Sequence, residues 1–180
     1  GTARLSQMIG ADSQKSFLKS LGLLATTPIE LVEGSTAKPQ FPSKWSEIAT
    51  MTISYGHGIS GSPLHLAAAY STIVNGGTFV SPTILQKSVS EVGARIISKN
   101  VSDQLRSMLR DVVRTPEGTA NLGEVSGYSV GGKTGTAEKT SKTGGYDSER
   151  VLATFASFFP SEDPKYVLII TLDEPEDRMG

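Results

Sequence analysis

The sequence has no cysteine. That excludes a disulfide framework and thiolate chemistry, and it fits an oxidising compartment. Histidine is almost as scarce, with His57 and His65 the only two. They fall on different expected elements and lack the spacing of a metal pair on one helix, so structural roles are expected for both and no metal site is implied. His57, flanked by Gly56 and Gly58, is the better placed of the two to line a cleft. An excess of either charge is also missing. Seventeen Lys and Arg stand against eighteen Asp and Glu, for a net charge of −1, so nothing points to nucleic acid. No apolar run reaches transmembrane length and no signal peptide is present. Thr2–Ile9 already reads as helix, so the chain is expected to open in mid-domain, and missing targeting segments say nothing about the parent protein. At 180 residues a single domain is expected.

What is present reads as helices and loops first, strands later. Ala3–Ile9 and Ser13–Leu21 read as short packing helices broken at Gly10. Asp12 or Ser13 can cap the second, and Gly22 ends it. Residues 25–47, rich in Pro, Ser, Thr and Lys, read as a long surface loop, with Trp45 anchoring the turn into Glu47–Ser54. Ser62 and Pro63 suit the N-cap and first position of a well-buried helix running to about Val74. Asn75-Gly76-Gly77 stops it. Thr78–Pro82, Thr83–Val89 and Arg95–Ser98 look extended, with a turn at Glu91–Ala94, so a small hairpin is expected. Ser102 is expected to cap a helix with Leu105, Met108, Leu109, Val112 and Val113 at helical spacing, closed by Pro116-Glu117-Gly118. Val151–Phe159 and Tyr166–Leu172 are β-branched and aromatic. With Gly127–Lys139 they are expected to form an antiparallel meander, Val151–Phe159 in the middle. Mainly helical and loop residues 1–116 thus precede strand-forming residues 117–180.

The chemistry gathers in Gly127–Lys139. On a strand Lys133 and Gly135 point one way, Thr134 and Thr136 the other. Such a strand could hold a carboxylate with its ammonium and hydroxyls and offer main-chain N–H groups to an oxyanion, and Gly135 lets a ligand approach closely. The same letters also satisfy a P-loop pattern, Gly127 to Thr134, with Val167–Leu172 and Asp173-Glu174 resembling a strand and a magnesium-holding acid. A P-loop must follow a strand and open a helix. Residues 117–127 carry no strand run, and residues 135–149 carry three glycines and no helical period, so the context is missing on both sides. Lys133-Thr134-Gly135 is instead the K-T-G signature shared by penicillin-binding proteins and serine β-lactamases. The S-x-x-K motif of that group also occurs, as Ser35-Thr36-Ala37-Lys38. Pro39 and Pro42 follow at once, so no helix can set Lys38 one turn from Ser35, and Ser35 reads as a loop residue.

Taken in order, the motifs resemble the C-terminal part of the transpeptidase domain of class B penicillin-binding proteins. The residues that carry the resemblance begin with Gly56-His57-Gly58 and Ser62-Pro63-Leu64-His65-Leu66-Ala67, close to the family's G-x-G and T-P-L-Q-L-A. Tyr70, Asn75-Gly76-Gly77, Pro82, Gly118-Thr119-Ala120, Gly127-Tyr128 and Lys133–Ala137 follow. Phe155–Pro160 and Tyr166–Leu172 complete the order. The family's Ser–Lys and S-x-N motifs are expected before residue 1, Gly1-Thr2-Ala3 looking like the residues just after S-x-N. Its sheet-covering C-terminal helix is expected after residue 180. Ser157 stands where many relatives have Gly.

The resemblance implies an α+β fold, a partial penicillin-binding or serine β-lactamase-like transpeptidase fold whose nucleophile-bearing part lies outside the chain. It implies a serine acyltransferase that cross-links peptidoglycan stem peptides, is trapped by β-lactam antibiotics, needs no cofactor and works with other cell-wall synthesis or divisome and elongasome proteins. It places the enzyme on the periplasmic side of the bacterial inner membrane, held by an N-terminal anchor outside this chain. It assigns Lys133, Thr134, Gly135 and Thr136 to substrate binding, with Lys133 and Thr136 also catalytic, the Thr136 N–H as an oxyanion donor. A D,D-carboxypeptidase or β-lactamase relative is the near alternative, and a non-catalytic binding module the distant one.

Overall fold

A computed structural model describes residues 1–86, 93–141 and 145–176. The chain divides into two compact units, residues 1–102 and residues 103–180. Among the described residues five helices, α1 (Thr2–Ile9), α2 (Ala11–Ser20), α3 (Glu47–Ile53), α4 (Pro63–Val74) and α5 (Lys99–Arg114), precede three strands, β1 (Gly131–Thr140), β2 (Tyr146–Phe159) and β3 (Tyr166–Asp173).

In the first unit α1, α2 and α3 pack on one another. Gly10, at φ 84°, breaks α1 from α2 and is itself the N-cap of α2. Asp12 and Ser13, expected to cap, lie inside the helix instead, where Asp12 places a carboxylate on the positive end. Gly22, φ 79°, closes α2 as expected: its N–H bonds Lys19 O at 3.0 Å and the Leu23 N–H bonds Leu18 O at 3.1 Å, a Schellman pair. Trp45 does anchor the entry to α3, through a relay. Its indole N–H donates to Gln14 Oε1 at 2.9 Å, and Gln14 Nε2 donates to Thr50 O at 3.0 Å. The packing of α1 is one-sided, for Ser6 is buried while Leu5, Met8 and Ile9 are exposed.

The start of α4 is as read. Ser62 is its N-cap and Pro63 its first residue, and His65 completes a capping box. His65 is buried, and its partners fix its tautomer. Nε2 lies 2.8 Å from the Ala25 carbonyl, which only accepts, so Nε2 carries the hydrogen. Nδ1 accepts from the Ser62 backbone N–H at 3.2 Å. His65 therefore ties the residue 25 loop to α4. Of the expected hairpin the described residues show one bridge, Thr78 to Arg95, and the part of the expectation that falls on residues 87–92 lies outside them.

Helix α5 begins at Lys99, three residues before the expected cap. Ser98 is the residue that caps it, its Oγ accepting from Val101 N at 3.2 Å. Ser102 is buried in the first turn, where its Oγ accepts from Gly76 N at 3.1 Å and donates to Ile73 O. A hydroxyl that looks free to cap was committed to a tertiary contact.

In the second unit the sheet order is β1-β2-β3, all antiparallel, with β2 central as expected. β1 starts four residues later than read, after a turn in which Gly127 takes φ 84°. β2 starts earlier, at Tyr146 rather than Val151. The two strands pair evenly from Gly131–Phe158 to Glu138–Val151, and the register then breaks, so that Lys139 pairs with Asp147 and three residues of β2 are taken up. Val113, Ala120 and Val130 form the core, with Val112, Phe155 and Phe159 packed against it. Met108, expected on the apolar stripe of α5, is 55% exposed instead.

Two glycines shape the base of β1. A Cβ on Gly131 would stand 2.5 Å from the ring of Phe158, and one on Gly132 would stand 2.8 Å from the ring of Phe155. Phe158 and Phe155 belong to opposite faces of β2. The backbone of β1 is therefore clasped by an aromatic ring on each side immediately before Lys133.

Candidate active site

Which backbone groups of β1 are available follows from the register. Lys165 N donates to Phe159 O and Glu174 N to Val151 O, so the odd-numbered residues of β2 turn their backbone groups to β3. The even-numbered ones, Leu152, Thr154, Ala156 and Phe158, turn theirs to β1, where they oppose Ala137, Gly135, Lys133 and Gly131. Gly132, Thr134 and Thr136 are left with N–H and C=O groups on the outer edge, with which no described strand pairs. The Thr136 N–H thus faces outward, as an oxyanion donor must.

The side chains organise the same edge. Lys133 is exposed, and its ammonium curls round the strand to donate to Thr134 O at 2.9 Å and to Thr134 Oγ1 at 3.4 Å. It also donates to Thr119 Oγ1 at 3.1 Å. Thr134 Oγ1 in turn donates to Thr119 Oγ1 at 3.2 Å. Alternation puts Lys133 and Thr134 on opposite faces at Cβ, yet a long flexible side chain brings the ammonium back to the edge. Gly135 has no atom within 4 Å of where a Cβ would stand, so the strand is open to an extended ligand there. Thr136 is exposed beside it.

Thr119 is the residue sequence reasoning left without a role. Its neighbours explain its position. A Cβ on Gly118 would lie 2.0 Å from Val112 O, so only glycine lets this turn close against α5. Ala120 is buried in the core and its N–H donates to Val112 O at 3.3 Å. With the residues on both sides held to α5, Thr119 is the one left exposed, and it meets Lys133. A glycine followed by a hydroxyl residue shortly after an amphipathic helix marks the turn, though not the partner of Thr119.

The electrostatics separate two lysines of the same strand. All the partners of Lys133 among the described residues are uncharged oxygens. Lys139, the last residue of the expected strand, lies in β1 and pairs with Asp173 and Glu174, hydrogen bonds that raise its pKa. Glu174 also accepts from Arg150 at 2.8 Å and is held below the usual glutamate range. The positive charge of Lys139 is spent internally, whereas that of Lys133 is available to an incoming anion.

The other expectations sort themselves on this frame. The P-loop reading fails because residues 131–140 form a strand and the described residues beyond it enter a second strand, with no helix N-terminus for a phosphate. The backbone from Val32 to Ser35 is a single 3-10 turn and residues 37–39 are irregular, so Ser35 and Lys38 share no helix.

Comparison with known proteins places the chain in a family. A family model described as the penicillin binding protein transpeptidase domain matches residues 1–180. A probable peptidoglycan D,D-transpeptidase FtsI of Caulobacter vibrioides is 36% identical, over 98% of this chain and 31% of its own length. Penicillin-binding protein PbpB of Mycolicibacterium smegmatis is 33% identical, over 98% and 30%. The chain thus spans about three tenths of the length of these curated relatives. Among solved structures, the apo transpeptidase domain of Burkholderia pseudomallei penicillin-binding protein 3 superposes with TM-score 0.87 at 29% identity, covering 97% of this chain and 53% of that one. Penicillin-binding protein 3 of Mycobacterium tuberculosis complexed with ampicillin gives TM-score 0.85 at 29% identity, over 96% and 42%.

Proposed function

The chain belongs to the penicillin-binding protein transpeptidase family, and from that membership we propose that the protein carrying it is a serine-type peptidoglycan D,D-transpeptidase to which these residues contribute the carboxylate-binding and oxyanion-binding edge. The observation that carries the reading is the edge of β1, where an ammonium free of carboxylate partners lies beside an outward N–H and an open glycine.

In this reading a serine outside these residues attacks the carbonyl of the D-Ala–D-Ala bond of a stem peptide, forming a serine ester as the peptide bond breaks and the terminal D-alanine leaves. Lys133, steadied by Thr119 and Thr134, supplies positive potential to the substrate's terminal carboxylate. The hydroxyls of Thr134 and Thr136 add hydrogen bonds to it. The stem peptide lies along Gly135 as an added strand, and the Thr136 N–H stabilises the oxyanion of the tetrahedral intermediate. An amine of a neighbouring stem then takes the acyl group. A β-lactam offers the same carboxylate and carbonyl, and forms an acyl-enzyme in place of the donor peptide. The enzyme faces the periplasm from the inner membrane, among cell-wall synthesis partners.

Intact-mass analysis after incubation with a penicillin tests this. The whole protein is expected to gain one penicillin mass, while the 180-residue chain alone gains none, because a hydroxyl without a positioned base is a poor nucleophile near neutral pH. A stable adduct on the isolated chain, at Ser35 or elsewhere, would overturn the division of labour proposed here.

A further inference from the structure

Arg110 lies on α5, outside the site just described, yet it bonds the chain that leads into β1. One guanidinium nitrogen donates to Val130 O at 2.9 Å, and Val130 is the residue immediately before the strand. The same guanidinium grips Glu124 through both carboxylate oxygens, Nη2 to Oε1 at 2.8 Å and Nη1 to Oε2. Arg110 is 21% exposed and Glu124 40%, so this is a half-buried fork rather than a loose surface pair. Its bond holds the Glu124 carboxyl below the usual glutamate range.

Glu124 and Val130 bound the second half of the connection between α5 and β1. Residues 115–130 are short of regular structure, with a 3-10 turn at Asn121–Gly123 and a bridge between Val125 and Tyr128. Arg110 supplies side-chain anchors at two points of that half. The residue before Val130 is held from the other side. Ser129 accepts from Ser161 N at 2.8 Å and its Oγ donates to Glu162 Oε1 at 2.7 Å, while Arg106, one turn before Arg110, donates to Glu162 O at 3.1 Å. Arg110 therefore holds the lead-in directly, three residues from Lys133, and Arg106 holds Glu162, which Ser129 bonds. Among the described residues Arg114, one turn further, bonds only Asp111 on its own helix and reaches none of this.

We propose that Arg110 is a positioning residue for Lys133, fixing the entry of β1 through Val130 and Glu124 so that the ammonium meets the substrate carboxylate in register. The inference rests on the carboxylate-binding role given to Lys133 above. Arginine is needed because one planar fork must serve a carboxylate and a carbonyl together, which a lysine ammonium on a single stem cannot do with the same geometry.

The test uses the whole protein and compares acylation by benzylpenicillin with acylation by its methyl ester, which lacks the carboxylate. The readout is the ratio of the two second-order rate constants. Loss of folded protein lowers both rates together and leaves the ratio unchanged, whereas misplacing Lys133 lowers only the first. R110M is expected to lower the ratio at least about fivefold and R110K at least about twofold, with R114M unchanged, since small displacements of a positioned group are felt strongly at the reacting centre. A ratio unchanged in R110K, the variant retained should R110M not fold, would overturn the proposal. K133A separates the two claims. If it lowers the ratio and the Arg110 variants do not, positioning by Arg110 is wrong. If K133A leaves the ratio unchanged, the carboxylate role of Lys133 is wrong and the inference falls with it.

Discussion

Replacing Lys133 and Lys139 with alanine, one at a time, in the whole protein makes the sharpest test of how β1 works. The residues share a strand, a charge and a length, and differ in their partners. Lys133 binds three uncharged oxygens, and Lys139 binds two carboxylates. A substrate carboxylate approaching β1 therefore meets an unspent charge at Lys133 and a neutralised one at Lys139. A hydrogen bond to a charged group contributes about 1.5–3 kcal/mol. At about 1.4 kcal/mol for each factor of ten in rate, Lys133→Ala should lower the second-order acylation constant by about 10- to 150-fold. The lower end applies if Thr119 and Thr134, relieved of the ammonium, turn their hydroxyls to the carboxylate in its place. Lys139→Ala should leave acylation within about twofold, because screening and distance reduce what a paired surface charge can do. Stopped-flow or gel-based acylation with a fluorescent penicillin measures both. Equal rates for the two variants, or a larger effect at Lys139, would refute the reasoning from charge availability.

Three further outcomes are expected. Gly118→Ala should destabilise the fold by about 1–3 kcal/mol, because its Cβ would stand 2.0 Å from the Val112 carbonyl and the backbone must move; thermal unfolding of the whole protein measures it. Glu124, Glu162 and Glu174 are all held below their ordinary range by hydrogen bonds, led by Arg110, Ser129 and Lys139 respectively. Their contribution to stability is complete above the ordinary glutamate range and is lost as pH falls through their lowered values, so E124Q should flatten the acid limb of a melting-temperature profile. On β3, Tyr166, Leu168, Ile170 and Leu172 share one face and are each 45–63% exposed. The isolated chain should therefore self-associate, and changing Leu168 and Ile170 to threonine should reduce that in analytical ultracentrifugation.

How far the sequence could be read depended on whether a residue's role was local. The cap and first residue of α4 were legible, since Ser62 and Pro63 act within one turn, whereas the capping-box role of His65 was not named. The order of the strands was legible too, because β-branched and aromatic runs with short connections leave few alternatives. Ser102 was misread for the opposite reason: its hydroxyl bonds Ile73, twenty-nine positions away, and nothing local marks that. The start of β2 was misread because Tyr146–Arg150 is polar and pairs beyond a break in register. In the site, Lys133–Thr136 could be named from a motif and their alternation from strand geometry. The partnership with Thr119 could not, since it depends on how closely Gly118 approaches Val112.

The break in register between Glu138 and Lys139 has a consequence for how this strand pair can change over generations. In an unbroken hairpin, a residue gained or lost at the tip forces a choice: the tip must absorb it, or the whole ladder slips and every side chain changes face. Here the slack is taken up once, between Val151 and Asp147, beyond the last evenly paired residue. The segment that carries Lys133, Gly135 and Thr136 is pinned at its other end by the rings of Phe155 and Phe158. Length and composition can therefore vary beyond that break without the variation reaching the edge that carries Lys133, Gly135 and Thr136. One stretch of the strand is free to diversify while the adjoining stretch is held to a single arrangement.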